Sequence, residues 1–144
     1  MRINGEWLLF DDGVTRPVIR GKVLGKNSSW ESAEFLVDTG ADRTVSSAST
    51  LAMLQLPSFV TPDRIGGLGG LADSVVVDTQ IRFRQETGGT VTFRGQYAAV
   101  TTDEALDISV LGRDITGFFA VIVDQPGNSL CLLGQRHQYT ISHI

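Results

Sequence analysis

Cysteine is almost absent. Cys131 is the single thiol in 144 residues, so no internal disulfide can form. Positive charge is scarce too, with 12 Lys plus Arg against 16 Asp plus Glu and a net charge of -4. Capture of nucleic acid by charge needs clustered Lys and Arg to displace phosphate counterions. Arg82, Arg84 and Arg94 are too few and too dispersed for that, and no nucleic-acid partner is expected. No apolar run approaches the roughly 20 residues of a membrane-spanning helix. The opening MRINGEWLLFDDG has neither a long apolar core nor a small-residue cleavage site. The chain is therefore expected in a reducing, cytoplasmic compartment, away from membranes. His137 and His143 with Cys131 fit no common zinc spacing, so no metal and no other cofactor is expected. Repeats, low-complexity tracts and linkers are missing as well. One domain over 1–144 is expected, large enough to bury roughly 68–70% of its unfolded surface without a staple.

What the chain has in quantity is glycine, 16 residues spread among Val, Thr, Ile and Phe, the pattern of many short strands joined by turns. From Leu71 to Arg84, Val75, Val77, Thr79, Ile81 and Phe83 alternate with Val76, Asp78, Gln80 and Arg82, a period of two with one apolar face. A turn over Glu86 to Gly89 leads into a second strand, Thr90 to Val100. Pro17 to Leu24 pairs naturally with Ala33 to Val37. Phe119 to Val123 and Ser129 to Leu133 flank Gln125-Pro126-Gly127-Asn128, a strong turn signal. A last strand is expected over 138–144. Two segments read as helical. The first runs from a cap at Ser46 or Ser47 to Gln55, with Ala48, Leu51, Ala52 and Leu54 on one face and Pro57 as its stop; the second is a turn or two over Asp114 to Phe118. Trp7 and Trp30 are expected in the core or an interface rather than on a ligand.

Three segments bear on chemistry. Phe35-Leu36-Val37-Asp38-Thr39-Gly40-Ala41 runs an apolar strand into an acid and a glycine, delivering a carboxylate to a tight turn where it is expected to be partly desolvated and held by backbone N–H groups for acid–base work. The triplet alone also fits an ordinary turn. Ile65-Gly66-Gly67-Leu68-Gly69-Gly70 places four glycines around a leucine within a hairpin, which lets backbone approach a bound chain closely. A flexible solvent loop is the plain alternative, and no Lys-Ser or Lys-Thr follows to make a phosphate loop. Ile108-Ser109-Val110-Leu111-Gly112-Arg113-Asp114 is a second apolar strand running into Gly and Arg, which also reads as a core strand leading to a capped helix.

In this order the three segments resemble the retropepsins, the retroviral-type aspartic proteases. The match lies at Phe35 to Asp42 with Thr44-Val45, at the glycine hairpin 65–70, and at Val110 to Asp114. The helix after the first motif and the hairpin near the end look closer to cellular and bacterial single-domain members than to viral enzymes. Residues 1–13 have no counterpart and no evident role.

The resemblance implies a mostly β, closed barrel-like fold with a flap hairpin and one or two short helices. It implies an aspartic endopeptidase acting on extended peptide or protein chains. Because the chain holds one Asp-Thr-Gly, a homodimer is implied, with Asp38 of each copy in a shared pair. The two-fold interface would include Thr39 and the terminal strand 138–144. Thr39 would lock the paired loops, Gly40 would offer its carbonyl to substrate, and Asp42 would meet substrate main chain while pairing with Arg113, a structural support. Residues 65–70 would form the flap, mobile when free, with Ile65, Gly66, Gly67 and Leu68 meeting substrate. Ala41, Val45, Ile65, Leu68, Ile108 and Val110 would line apolar subsites, although ordinary core accounts for those six as well. Arg43 departs from the family pattern and would bias subsites toward acidic or polar groups. The alternative is a peptide-binding or dimerisation module on the same fold without catalysis.

Overall fold

The computed structural model describes residues 1–67, 70–103, 106–135 and 140–142, the side chains of 61–67 and 70–72 excepted. Its strands are β1 (Arg2–Asn4), β2 (Glu6–Leu9), β3 (Thr15–Leu24), β4 (Trp30–Val37), β5 (Val45–Ser46), β6 (Phe59–Gly67), β7 (Gly70–Arg84), β8 (Thr90–Val100), β9 (Ser109–Leu111), β10 (Ala120–Asp124) and β11 (Ser129–Leu133). Two short helices, α1 (Ala48–Leu54) and α2 (Arg113–Thr116), complete it. The fold is mostly β, as the glycine-punctuated sequence implies.

The larger sheet runs β2-β3-β4-β9-β5-β8-β7-β6. β3 also pairs with β7, at Lys22↔Arg82 and Val23↔Ile81, so β3, β4, β9, β5, β8 and β7 close into a ring. The ring is filled by the apolar face of each strand. Ile19, Val23, Phe35, Ile81, Phe83 and Leu111 are each fully enclosed in one cluster, and Phe35 meets Phe83 edge to face. The alternation in β7 is realised: Val75, Val77, Ile81 and Phe83 are buried and Asp78 is exposed. Thr79, on the apolar face, is satisfied by donating its hydroxyl to the Leu24 carbonyl at 2.6 Å. Trp30 closes the β3–β7 seam from outside, with the Arg82 guanidinium 3.9 Å above its ring.

The N-terminal residues, for which the sequence suggested no role, supply two strands. β1 joins β11 antiparallel and β11 joins β10, giving a separate three-stranded sheet. β2 continues the larger sheet against β3. Gly5 sits where the chain crosses between the two sheets, and a Cβ there would lie 2.4 Å from Leu130 Cδ2 and 2.8 Å from the Val18 carbonyl oxygen. Only glycine passes that gap. Trp7 ties the sheets together by donating its indole N–H to the Ser129 carbonyl at 3.1 Å. The strand expected over 138–144 falls largely outside the described residues, and 140–142 are not strand.

Ser47 caps α1, its hydroxyl accepting from the Thr50 N–H at 3.3 Å. The buried face of α1 differs from the expected one. Thr50 and Leu54, one turn apart, are buried, whereas Ala52 is exposed and Ala48 and Leu51 are half-buried. A hydroxyl was left out of the apolar pattern, yet Thr50 Oγ1 lies 3.4 Å from the buried Ser109 hydroxyl, which makes its burial tolerable.

At the tip of the β2–β3 hairpin Arg16 grips Asp12 with two N–H groups, at 3.0 and 2.6 Å, and lies 4.8 Å over the Phe10 ring. That hydrogen bonding pulls the Asp12 carboxyl from an ordinary 3.8 down to about 2. A depressed folded-state value contributes stability above about pH 4, lost as pH falls toward about 2, and the contribution is small because the pair is solvated. NMR titration is expected to show the Asp12 midpoint near 2 in the wild type and raised toward 3.8 in Arg16→Met, where the Val14 N–H bond still holds it below that value. Equal midpoints in both would remove the ion pair as its cause.

Candidate active site

The site is built where β4 and β9, parallel neighbours in the ring, run out together. Phe35↔Ser109, Leu36↔Val110 and Val37↔Leu111 set the register. The Asp38 N–H makes one more bond to the Leu111 carbonyl at 3.2 Å before the chain leaves the sheet. The apolar run 35–37 thus anchors the strand in the core and delivers Asp38 to the surface at its end. A tight turn follows. Asp38 Oδ1 accepts from the Gly40 N–H at 2.9 Å, and the Asp38 carbonyl accepts from the Ala41 N–H at 3.1 Å. The carboxylate is thereby oriented while it, Thr39 and Gly40 stay exposed.

The start of α2 holds this turn from behind. Arg113 N–H bonds the Ala41 carbonyl at 2.8 Å and Asp114 N–H bonds the Asp42 carbonyl at 3.2 Å. The Arg113 guanidinium donates to the Thr39 carbonyl at 2.8 Å through Nη1 and to the Asp42 carboxylate through Nη2. With side chains 52% and 81% exposed, the Arg113–Asp42 pair contributes about 0–1 kcal/mol by itself. Its consequence is geometric, since one planar guanidinium ties residues 39 and 42 to α2.

The stronger lock is half-buried, between an enclosed threonine and an exposed acid that the sequence does not single out as a pair. Thr44 is fully enclosed. Its N–H donates to both Asp114 carboxylate oxygens at 2.9 and 3.0 Å, its Oγ1 donates to Asp114 Oδ1 at 2.6 Å, and the same Oγ1 accepts from the Gly112 N–H at 3.0 Å. Loss of that hydroxyl would leave a buried N–H unpaired, a cost of about 1–3 kcal/mol. The Asp114 charge is also felt in the core: burial first, and that carboxylate second, push the Tyr97 hydroxyl above its ordinary value. Thr44 and Asp114 lie 70 residues apart, and no spacing rule links them. The only hint was their presence inside two of the quoted motifs.

The remaining candidates are spread around this core. Ala41 is half-buried in the turn and Asp42 is exposed, Ile108 is half-buried at the other end of β9, near Ala33 and Glu34 rather than Asp38, and Val45 and Val110 are buried and paired across β5 and β9. Val45 packs in a small cluster with Ala98, Val100 and Leu106. Ile65, Gly66 and Gly67 end β6, in register with Ala72, Leu71 and Gly70 of β7. Leu68 lies outside the described residues, as do His137 and His143. Cys131 is buried in β11. Among the described residues no cluster of His, Cys, Asp or Glu could hold a metal, and no helix is long and apolar enough to cross a membrane.

A family model described as aspartyl protease matches residues 19–136, more than half of the chain. Among solved structures, the EIAV protease complexed with the inhibitor HBY-793 is similar over 71% of this chain and 86% of its own, at 22% identity and a TM-score of 0.50. A retropepsin-like aspartic protease from Rickettsia conorii is similar over 92% of this chain and 87% of its own, at 19% identity and a TM-score of 0.49. No curated protein matches.

Proposed function

The chain belongs to the aspartyl protease family, with the activity of an aspartic endopeptidase, and on that premise we propose that two copies assemble about a two-fold axis, Asp38 of each supplying half of the catalytic pair. The observation that carries this reading is the Asp38 turn itself, an exposed carboxylate oriented by the Gly40 N–H on a loop fixed from behind by α2. Peptide hydrolysis by carboxylates needs one group as base and another as acid. The chain has one Asp-Thr-Gly. A two-fold partner brings an identical loop to face it.

Two carboxyls about 3 Å apart cannot both ionise, a principle for which aspartic proteases are the standard illustration, so the pair holds one proton. The ionised Asp38 takes a proton from water as the water oxygen bonds to the scissile carbonyl carbon. The protonated Asp38 gives its proton to the carbonyl oxygen. In the resulting diol the C–N bond breaks as the nitrogen receives the first proton, a hydroxyl proton passes to the other carboxylate, and the pair ends singly protonated as it began. In this reading Thr39 braces the two loops, the Gly40 carbonyl and Asp42 hold substrate main chain, and Ala41, Val45 and Val110 shape apolar subsites. The β6–β7 hairpin, with Ile65, Gly66, Gly67 and Leu68 meeting substrate, closes over an extended peptide and excludes water.

Activity should then follow dimer, not chain. Specific activity is expected to climb with protein concentration and level off where sedimentation shows the dimer filled. Full specific activity in a sample that sediments only as monomer would overturn the shared pair.

A further inference from the structure

Arg82, Arg84 and Arg94 are scattered along the sequence, and the sheet gathers them. Residues directly opposite in an antiparallel pair point to one face, as do alternate residues of a strand. Val23 and Ile81 pair across the β3–β7 seam with both side chains fully enclosed, so Lys22 and Arg82, the neighbouring pair, face outward. Arg84 stands on the same outer face two residues along β7, and Arg94 joins it from β8, opposite Gln80. Lys22, Arg84 and Arg94 are exposed, and Arg82 is half-buried over the Trp30 ring. None of the first three enters an ion pair among the described residues. Asp78 shares the face and offsets one of the four charges, while Arg20 is occupied by Glu6 and Glu34. Like charges set directly opposite, as Lys22 and Arg82 are, destabilise a sheet. Folding therefore does not account for the cluster, and on a chain of net charge -4 it is a local reversal of sign.

We propose that this outer face binds an acidic segment of the protein substrate at a distance from the scissile bond. Lys22 lies opposite Ser32 of β4, six residues before Asp38 and about 20 Å from it along the strand. The inference rests on the endopeptidase activity and not on the shared Asp38 pair. An acidic protein segment fits better than nucleic acid, because the Arg82 guanidinium covers the Trp30 ring against a stacking base and Asp78 interrupts a track of phosphates.

Two fluorogenic peptides test this. Both carry one cleavage sequence and a spacer of about twelve Gly and Ser residues, whose r.m.s. span is about 20 Å. One ends in a run of aspartates, ionised at about pH 6, and the other in a run of asparagines. The acidic peptide is expected to show a KM about tenfold lower at unchanged kcat, since solvated ion pairs are individually weak but act together on a tethered tail. Salt at about 0.5 M should close the gap. So should the triple variant Lys22→Glu, Arg84→Glu, Arg94→Glu, which changes exposed side chains and should keep the wild-type kcat on the asparagine peptide. Equal KM for the two peptides in wild type, or a gap that survives in the variant, would overturn the proposal. Should the triple variant unfold by circular dichroism, the pair Lys22→Gln, Arg94→Gln takes its place with the same two outcomes. Fluorescence anisotropy of the same peptides separates binding from activity: tighter binding of the acidic tail without cleavage would overturn the endopeptidase activity and leave the face standing. An oligothymidylate of about twenty nucleotides that binds more tightly than the acidic peptide, and is lost in the triple variant, would give the face to nucleic acid and overturn the proposal.

Discussion

Asp38→Asn is expected to lower peptide cleavage by roughly 10²–10⁴-fold, the range that general acid–base groups supply, while leaving both the fold and the dimer in place. The reasons are separable. Asp38 enters the architecture through its backbone, by the N–H bond to Leu111 and the carbonyl bond from Ala41, and through one side-chain oxygen that accepts the Gly40 N–H. An Asn oxygen keeps that last bond at the same geometry. What it cannot do is accept a proton from water or hold the shared one. Because the active pair works with one carboxyl as base and the other as acid, replacing both at once removes both functions. A transition-state mimic with a hydroxyl in place of the tetrahedral diol should inhibit the wild type and be bound poorly by Asp38→Asn. A variant that cleaves the same peptide at the wild-type rate would move the chemistry to another residue.

Much of this was legible in the sequence because its signals are local. The period of two in Leu71–Arg84, the Pro126-Gly127 turn and the Thr90–Val100 return strand each depend on neighbours a few residues apart, and each was realised within a residue or two. The Asp38 turn followed from an apolar run ending in Asp-Thr-Gly for the same reason, but its carboxylate stands exposed on the protomer where that run implied partial desolvation. What escaped were features decided by distant contacts. β1 is three residues long and gains strand geometry only from β11, some 130 positions later, so no alternation could announce it. The inward face of α1 was assigned by hydrophobicity, whereas the buried hydroxyls of Ser47 and Ser109 make Thr50 the residue that turns in. Arg113 was tied to Asp42 only through a family resemblance. The deeper Thr44–Asp114 bond had no signal of its own, because a threonine followed by Val-Ser looks like the start of any strand.

Gly112→Ala is the substitution expected to damage the site most without touching a reacting atom. Gly112 has φ -97°, a conformation open to any residue, so the obstacle is space and not backbone strain. An added Cβ would stand 2.3 Å from the Arg43 carbonyl carbon, 2.4 Å from its oxygen and 2.8 Å from its nitrogen. All three are main-chain atoms and cannot swing aside as a side-chain tip does. The two segments are moreover bonded together there, Gly112 N–H to the Thr44 hydroxyl at 3.0 Å and Arg113 N–H to the Ala41 carbonyl at 2.8 Å. Making room means pulling β9 and α2 away from the 41–44 loop. That opens the Thr44–Asp114 lock and, through the Leu111–Asp38 bond, displaces the carboxylate. Overpacking of this kind costs about 3 kcal/mol, a drop of roughly 10 °C in melting temperature for a chain of this size. Displacement of the carboxylate by about 1 Å should lower cleavage by about 10²-fold even where the protein remains folded. Gly89→Ala is the matched control. Its nearest neighbour to a new Cβ is the Gln85 side chain at 3.7 Å, so its melting temperature and rate should stay at wild-type values. If Gly112→Ala melted and cleaved like Gly89→Ala, the close approach of α2 to the Asp38 loop would not be what positions the carboxylate.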